Sequence, residues 1–297
     1  MHDARWDDAL ADLARQERDA DPRARAALLV ATSRVLLDEG LNRRADVSRA
    51  RQPAERALRL AERLSDGALI ADALDRVGME RYWQWALADP DSGDGPVVEA
   101  AALFERARSL RRSGVGLGYS HFHLGLVAEA QDRAADARDH FTRALELAGR
   151  DGKLESYALR HIARYDEAAG RLDAAETRLR RSLDLRRGLG WRAGVASGLD
   201  GLAAFLLRAG RAADARPLLR EAISVARAAD SRYYASRAAL TLARIEEGTG
   251  DIAAAIAALE AARPDIDRLE SRALRAEHAS LLESLRQRCS GCGAGDP

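Results

Sequence analysis

Apolar residues along this chain recur at intervals of three and four, which is the spacing of an amphipathic α-helix. One skeleton is repeated: a Leu-Ala pair, a Gly seven residues after that Ala, an Ala twelve after it, a Leu four further on and an Ala three beyond. It occurs in LAAFLLRAGRAADARPLLREA, residues 202–222, and again forty residues later in LARIEEGTGDIAAAIAALEAA, residues 242–262. Helical spacing on both sides of a Gly predicts two helices joined by a short turn.

The same skeleton recurs through most of the chain, with four nearly gapless copies and two earlier copies that carry insertions. The small residue of the leading pair is Ala31, Gly78, Gly125, Ala163, Ala203 or Ala243. The spacing of the last four is 38, 40 and 40 residues. Residues 22–262 are therefore predicted to form six helical hairpins.

The small and glycine positions each have a physical role in such a hairpin. Gly170 and its equivalents in later copies are expected to take the left-handed conformation that ends a helix, and Asp132 replaces Gly in the third copy because Asp tolerates that region. Small residues such as Ala175 and Ala215 allow the two helices to approach closely.

A stack of hairpins needs terminal caps, because its end faces are otherwise apolar. Helices over residues 3–18 and 265–288 are predicted to supply them. Residues 289–297 are predicted to be a flexible tail. Cys289 and Cys292 lie in this tail, and two thiolates make only half of a structural zinc site, so neither a metal site nor a disulfide framework is expected.

The pattern of Leu-Gly/Ala, then Ala, Phe/Leu and Ala at these spacings resembles the tetratricopeptide repeat, a unit of about 34 residues. The longer unit of 38–40 residues resembles the repeats in sensor arrays of bacterial signal-transduction ATPase regulators. This resemblance implies an all-α, right-handed superhelical solenoid, a single domain over residues 1–288. It also implies that the first helix of each hairpin lines a concave groove.

Composition favours a folded protein whose core is built from Ala and Leu, since 47% of residues are apolar and only 5% are aromatic. Forty-seven basic residues balance forty-seven acidic ones, which gives no bulk attraction to nucleic acid or an anionic membrane. The start, MHDARWDDALADLARQ, lacks the pattern of a signal peptide, and no apolar run is long enough to span a bilayer. We expect a cytoplasmic protein that directly contacts neither nucleic acid nor a membrane.

Motifs for catalysis are not found in the sequence. The one lysine, Lys153 in RDGKLE, lacks the Gly spacing of a phosphate-binding loop, and we find no nucleophile elbow, zincin or redox motif. We therefore expect neither enzymatic activity nor a cofactor.

Two histidines occupy the same place in consecutive repeats, His123 and His161. Two imidazoles without a nearby carboxylate or thiolate make half a metal site, so both rings are interpreted as packing between repeats. His140 and His278 are predicted to be solvated helix positions.

The resemblance assigns groove-lining positions, and these divide into an aromatic and acidic set followed by an arginine-rich set. The candidate peptide-binding residues are Asp72, Tyr82, Trp83, Tyr119, Phe122, Glu129, Tyr157, Arg160, Arg164, Arg208, Arg237 and Arg244. An extended peptide with an apolar segment and a carboxylate suits such a surface. The charges also fit solvated positions that pair within one helix, as Arg164 and Glu167 can.

The sequence therefore predicts a non-catalytic scaffold that binds a protein or peptide in the groove. One alternative is a signal-sensing subunit of a bacterial transcriptional regulator, which would bind a peptide. A second is a small-molecule or metal-dependent enzyme that uses the solenoid interior, with His123, His161, Tyr157 and Arg160 as its site.

Overall fold

The computed structural model describes residues 6–43, 46–88, 93–269 and 271–292, and the regular structure in these ranges is entirely helical. A short 3-10 helix, Val47–Ala50, accompanies the α-helices. The α-helices are α1 (Trp6–Asp19), α2 (Pro22–Arg43), α3 (Arg51–Arg63), α4 (Gly67–Leu87), α5 (Gly95–Ser109), α6 (Gly114–Ala130), α7 (Ala134–Leu147), α8 (Gly152–Ala168), α9 (Leu172–Gly188), α10 (Arg192–Arg208), α11 (Ala212–Ala228), α12 (Arg232–Gly248), α13 (Ile252–Ile266) and α14 (Arg272–Cys292). Among these helices, none has the length and hydropathy of a bilayer-spanning segment.

Helices α2 to α13 form six consecutive hairpins, each a first helix followed by a second. Neighbouring helices pack on one another along the chain, as α6 does on α7 and α10 on α11. This arrangement confirms the all-α fold and the predicted hairpins.

The described chain falls into two compact units, where the sequence predicts one solenoid. Of the described residues, the first unit comprises 6–40 and 46–185, and the second comprises 41–43 and those from Arg186 to Cys292. The boundary falls inside α9. Each unit is described separately below.

The turns inside the last four hairpins have the predicted left-handed residue. Asp132 has φ = 54° and Gly170 has φ = 75°. After Gly170, the amide of Arg171 donates to the carbonyl of Asp166 at 2.8 Å, and the Gly170 amide donates to that of Glu167 at 2.9 Å. These two hydrogen bonds satisfy carbonyls that the end of α8 would otherwise leave unpaired.

The small positions bring the two helices of a hairpin into direct contact. A Cβ atom built on Gly125 would lie 2.6 Å from Cε1 of Phe141, so only glycine fits beneath that ring. In the sixth hairpin the small residue is Ala243, and it packs with Leu259 in one buried cluster, so Ala and Leu take the places of Gly and Phe.

The C-terminal part differs from the prediction in where its helices begin and end. Instead of one helix over 265–288, α13 continues to Ile266 and α14 begins at Arg272. The break lies where the amide of Leu269 donates to the carbonyl of Ile266 at 3.0 Å, with the Leu269 side chain 1% exposed. Pro264 is thus within the last turn of α13 and does not precede a new helix.

The helix also continues into the predicted tail, because α14 ends at Cys292. No proline interrupts it, and an established helix propagates easily through additional residues. The rest of the predicted tail, 293–297, lies outside the described residues. At the other end, α1 begins at Trp6 and buries no residue fully, and residues 3–5 of the predicted cap also lie outside.

Candidate functional site

An aromatic pair on α6 and α8 forms the centre of the predicted face in the first unit. Phe122 is 6% exposed, and its ring stacks on that of half-buried Tyr157, with centroids 5.2 Å apart and planes at 19°. Phe122 therefore forms a floor, and Tyr157 presents the accessible ring. The hydroxyl of Tyr119 donates to Asp151 at 3.3 Å, and burial followed by that carboxylate raises the pKa of Tyr119.

A second aromatic group lies on α4. Tyr82 is 9% exposed and makes an edge contact with Trp83 at 5.3 Å between centroids. Burial raises the pKa of Tyr82 to about 12. The Trp83 side chain is half-buried, and its indole N–H is itself buried with no acceptor among the described residues.

Arg111, which follows α5, neutralises the acidic residues at the start of this face. Its guanidinium pairs with exposed Asp72, and it also donates to buried Asp75 at 2.5 Å and to the Ser120 hydroxyl at 2.8 Å. Asp75 is also 3.1 Å from Nδ1 of buried His123. Burial alone would raise the pKa of Asp75, but His123 and Arg111 hold it below its usual range, so the carboxylate is charged.

Glu129 at the end of α6 is the centre of a second polar cluster. Its carboxylate accepts from His161 at 2.9 Å, from the Tyr165 hydroxyl at 3.0 Å and from Arg164 at 3.3 Å. Arg164 nevertheless remains 64% exposed. Arg160, one turn earlier on α8, makes no ion pair within the described part of the chain.

The sole lysine extends this face, and the sequence reasoning did not select it. Lys153 Nζ lies 5.9 Å from the centroid of the Tyr157 ring. Burial lowers the pKa of its amine, with Asp38 opposing that shift and Arg34 and Arg76 adding to it. Side chains of α2 and α4 thus act electrostatically on the start of α8.

Arg237 and Arg244, two of the predicted arginines in the second unit, have carboxylate partners. Arg237 pairs with buried Asp200 at 3.0 Å and donates to the hydroxyl of Tyr233 at 3.1 Å. Burial opposes its charge, but Asp200 and Tyr233 together raise the pKa of Arg237. Arg244 pairs with Glu277 at 2.7 Å, and Arg208 is exposed.

His123 and His161, in the first unit, each contact a carboxylate and an aromatic ring. His123 stacks on Phe104 with centroids 4.9 Å apart, and His161 stacks on Phe141 at 4.4 Å. Burial lowers the pKa of both imidazoles, only partly opposed by Asp75 and Glu129, so both are neutral donors. In the ranges given above, no three metal-ligating side chains converge.

The two histidines predicted to be solvated are not. His278 is 6% exposed, and its Nε2 donates to the carbonyl of Leu259 at 2.9 Å. His140 is half-buried, with its Nδ1 3.0 Å from Nδ1 of His121. Both were missed because their neighbours lie on a different helix.

Helical spacing found the right helices but not the partners of each side chain. It placed Tyr157 and Arg164 on α8 and Glu129 on α6, and the structure brings them into one unit. It missed Arg111 because that residue lies in an irregular segment between α5 and α6. The available signal was its position one turn before Gly114, where the next helix begins.

Comparison with known proteins supports the repeat assignment. Residues 117–188 and 194–264 match the family described as Tetratricopeptide repeat. A search of curated proteins gives no significant sequence match.

Solved structures with the same fold are similar over nearly the whole chain. A Rap protein complexed with Competence and Sporulation Factor superposes with TM-score 0.62 and 12% identity, covering 96% of this chain and 86% of that one. Yeast Tom70 gives TM-score 0.58 and 15% identity, with 96% and 59% covered. A Signal Transduction ATPase with Numerous Domains that has a tetratricopeptide repeat sensor, from Pyrococcus horikoshii, gives 0.53 and 14%, with 94% and 42% covered. The chain thus spans about three fifths of Tom70 and two fifths of the ATPase, and at these identities the likeness shows the fold alone.

Proposed function

Because this chain is a tetratricopeptide repeat protein, we propose that it is a non-catalytic scaffold whose first-helix face binds a protein or an extended peptide. The ligand has an apolar segment and a carboxylate or acidic side chain. The proposed contact residues are Asp72, Tyr82, Trp83, Tyr119, Phe122, Glu129, Tyr157, Arg160, Arg164, Arg208, Arg237 and Arg244.

The observation that carries the proposal is the half-buried ring of Tyr157, which stacks on buried Phe122 and has Lys153 Nζ 5.9 Å from its centroid. An aromatic ring held in place loses little conformational freedom when an apolar side chain packs on it. Lys153 is close to one side of the ring, and Arg160 follows on the same helix. A guanidinium without a carboxylate partner is suited to bidentate recognition of a ligand carboxylate.

The test begins with a pull-down from the native cell and mass spectrometry of what is retained. The partner is then titrated against wild type, Tyr157→Leu and the double variant Arg160→Ala/Arg164→Ala. We expect both variants to weaken binding at least tenfold while their helicity and melting temperature stay close to wild type. Added salt should weaken wild-type binding, because exposed charge pairs are screened.

A matched control removes two arginines from a second helix, with Arg138→Ala/Arg143→Ala on α7, and should bind like wild type. Equal affinity of the Arg160→Ala/Arg164→Ala variant and wild type, with no salt dependence, would show that the face is a solvated surface with no role in recognition.

A second candidate function is a signal-sensing subunit that passes peptide binding to a transcriptional regulator. It is favoured by the fold likeness to the Rap protein, whose structure contains Competence and Sporulation Factor, and to the ATPase with a repeat sensor. The discriminating result is the identity of the retained partner: a DNA-binding protein whose capture depends on an added peptide favours the sensor.

The scaffold proposal places the protein in the bacterial cytoplasm, without direct contact to nucleic acid or membrane.

A metal assay distinguishes the proposed scaffold from a metal-dependent enzyme. We expect purified protein to contain no stoichiometric zinc and to keep its melting temperature in chelator. One equivalent of metal that is lost in His123→Ala would support the enzyme instead.

A further inference from the structure

Two arginines on the first helices of the first unit have no partner for their charge. Arg34 lies on α2 and Arg76 on α4, and neither guanidinium makes an ion pair or a hydrogen bond with the described residues. These two helices are neighbours, because Leu29 of α2 packs with Ala73 of α4 in one buried cluster. A guanidinium has five N–H donors, so both side chains keep their full capacity to bind an anion.

The sole lysine of the chain lies near both arginines. Lys153 is in the first turn of α8, and burial lowers the pKa of its amine, with Arg34 and Arg76 lowering it further. Arg34 also acts electrostatically on the Tyr119 hydroxyl of α6. Helix α6 contacts both α4 and α8, which connects the helices that carry these groups. Three basic side chains from α2, α4 and α8 therefore converge on one part of the first-helix face. Like charges repel, so an anion between them would stabilise this arrangement.

The carboxylates at the start of α8 are engaged with other groups. Asp151 accepts a hydrogen bond from the Leu154 amide at 2.8 Å and another from the Tyr119 hydroxyl at 3.3 Å. Asp38, one turn after Arg34 on α2, favours the charged form of the lysine. Neither carboxylate forms an ion pair with an arginine of this group within the described residues.

The carboxylates of α4 also have a different partner. Asp72 and Asp75 lie one turn and one residue before Arg76, and both pair with Arg111. Arg76 thus retains an uncompensated charge beside two carboxylates that are already neutralised.

We propose that Arg34, Arg76 and Lys153 bind the phosphate group of a phosphate monoester whose organic part packs on Tyr157. The inference rests on the peptide-binding face proposed above, and it assigns the anionic group of the ligand to these three side chains rather than to the arginines later on α8.

The directions from which the donors come favour phosphate over carboxylate. A phosphate monoester has three strong acceptor oxygens and a charge of about −1.5 to −2 at neutral pH. Donors from three helices can each bind a separate oxygen of this tetrahedral group, whereas a carboxylate offers two oxygens in one plane. Two guanidiniums without acidic partners also balance a dianion better than a single negative charge.

The ring beside the lysine determines what the ester carries. Lys153 Nζ lies 5.9 Å from the centroid of the Tyr157 ring, which stacks on Phe122. An anion held by the lysine therefore has a supported aromatic surface next to it, and an aromatic ring of the ligand can stack there. Phenyl phosphate contains both parts and is a suitable probe.

Isothermal titration calorimetry with phenyl phosphate and the full chain tests the site. We expect Arg34→Gln/Arg76→Gln to weaken binding at least tenfold, because two hydrogen-bonded charges are lost. The control Arg112→Gln/Arg138→Gln removes the same charge from exposed arginines of the first unit that make no ion pair with the described residues. It should bind like wild type, and melting temperatures confirm that both variants fold.

Further probes define the chemistry of the ligand. Phenylacetate keeps the ring but has a carboxylate, and it should bind at least tenfold more weakly than phenyl phosphate. Tyr157→Leu should reduce the preference of the protein for phenyl phosphate over inorganic phosphate. A short phosphotyrosine peptide that binds more tightly than phenyl phosphate identifies the source as a phosphorylated peptide, and equal affinity identifies a small ester. Either result supports the site.

Three results would overturn the proposal. Wild type that does not bind phenyl phosphate has no such site. Equal affinity for phenylacetate means that phosphate is not selected. An equal loss of affinity in the control variant means that only the overall charge of the unit matters.

The peptide-binding face can stand if this site fails. In the titration of the retained partner, weaker binding by Tyr157→Leu together with unchanged binding by Arg34→Gln/Arg76→Gln would support the face and reject the phosphate site.

Discussion

Alanine determines much of the packing at the scale of single residues, as the fully buried Ala215 on α11 illustrates. It occupies the small position at which a second helix faces its first helix. Replacement by Leu inserts three carbons into a filled site, which should destabilise the protein by about 1–3 kcal/mol. Urea unfolding measures the change. Ala213→Leu, at an exposed position of the same helix, should be nearly silent, and equal stability of both variants would contradict the assigned contact.

The His121–His140 contact predicts a loss of stability in mild acid. Burial lowers the pKa of both imidazoles from about 6.5, and His140 lowers that of His121 further. The unfolded state therefore binds protons near pH 6.5 that the folded state does not, so the free energy of unfolding falls as pH decreases below that value. The charged neighbours are Glu105, Asp136, Arg108, Arg133 and Arg143.

Urea titrations between about pH 7.5 and 5.5 measure this effect. The double variant His121→Gln/His140→Gln should lose less stability over that range than wild type. An unchanged slope would assign the pH dependence to other groups, such as His123 and His161.

At this scale the sequence could predict the face on which a residue lies but not its partner. Asp72 and Arg164 were selected as ligand-binding residues, and the structure pairs them with Arg111 and Glu129. Such partners come from segments 39 and 35 residues away, so no pattern within one helix reveals them.

At the scale of the hairpin, the small residue and the large residue that covers it vary together. Glycine stands opposite Phe, as in Gly125 with Phe141, whereas Ala stands opposite Leu, as in Ala243 with Leu259. Both combinations fill a similar space between two helices. The pair is therefore the unit of packing, and its members should not be interchangeable one at a time.

This pairing predicts a strong coupling between two substitutions. Gly125→Ala alone places a methyl against the Phe141 ring, and Phe141→Leu alone leaves a void beneath the side chain. The double variant recreates the Ala–Leu pair of other hairpins. It should be more stable than the sum of the single effects predicts, by on the order of 1 kcal/mol or more. Additive effects in urea unfolding would mean that the two positions do not share one space.

Element boundaries were predictable where a conformational signal marks them and not elsewhere. Asp132 and Gly170 mark turns through left-handed backbone, and both were placed correctly. The break before α14 carries no such glycine signal, and the sequence suggested a start at Asp265 after Pro264. The packing of Leu269 against its surroundings sets this boundary instead.

At the scale of the whole molecule, repetition determines how far a disturbance extends. From α3 to α8 and from α10 to α14, each helix contacts mainly its neighbours along the chain, so stability there is close to a sum of local terms. The sequence predicted the hairpins because each copy repeats the same signals. It could not predict the division into two compact units, since the repeat continues across the boundary at Leu185 with the same 40-residue spacing.

This organisation predicts that the two units respond separately to a local defect. Ala215→Leu weakens a hairpin in the second unit, so hydrogen exchange should accelerate in peptides from residues 192–262. Peptides from residues 67–147, in the first unit, should exchange at wild-type rates under the same conditions. Hydrogen–deuterium exchange with mass spectrometry at neutral pH measures both regions in one experiment. Acceleration of the same size in both regions would show instead that the chain opens as one cooperative body, in which case local packing would not confine the disturbance.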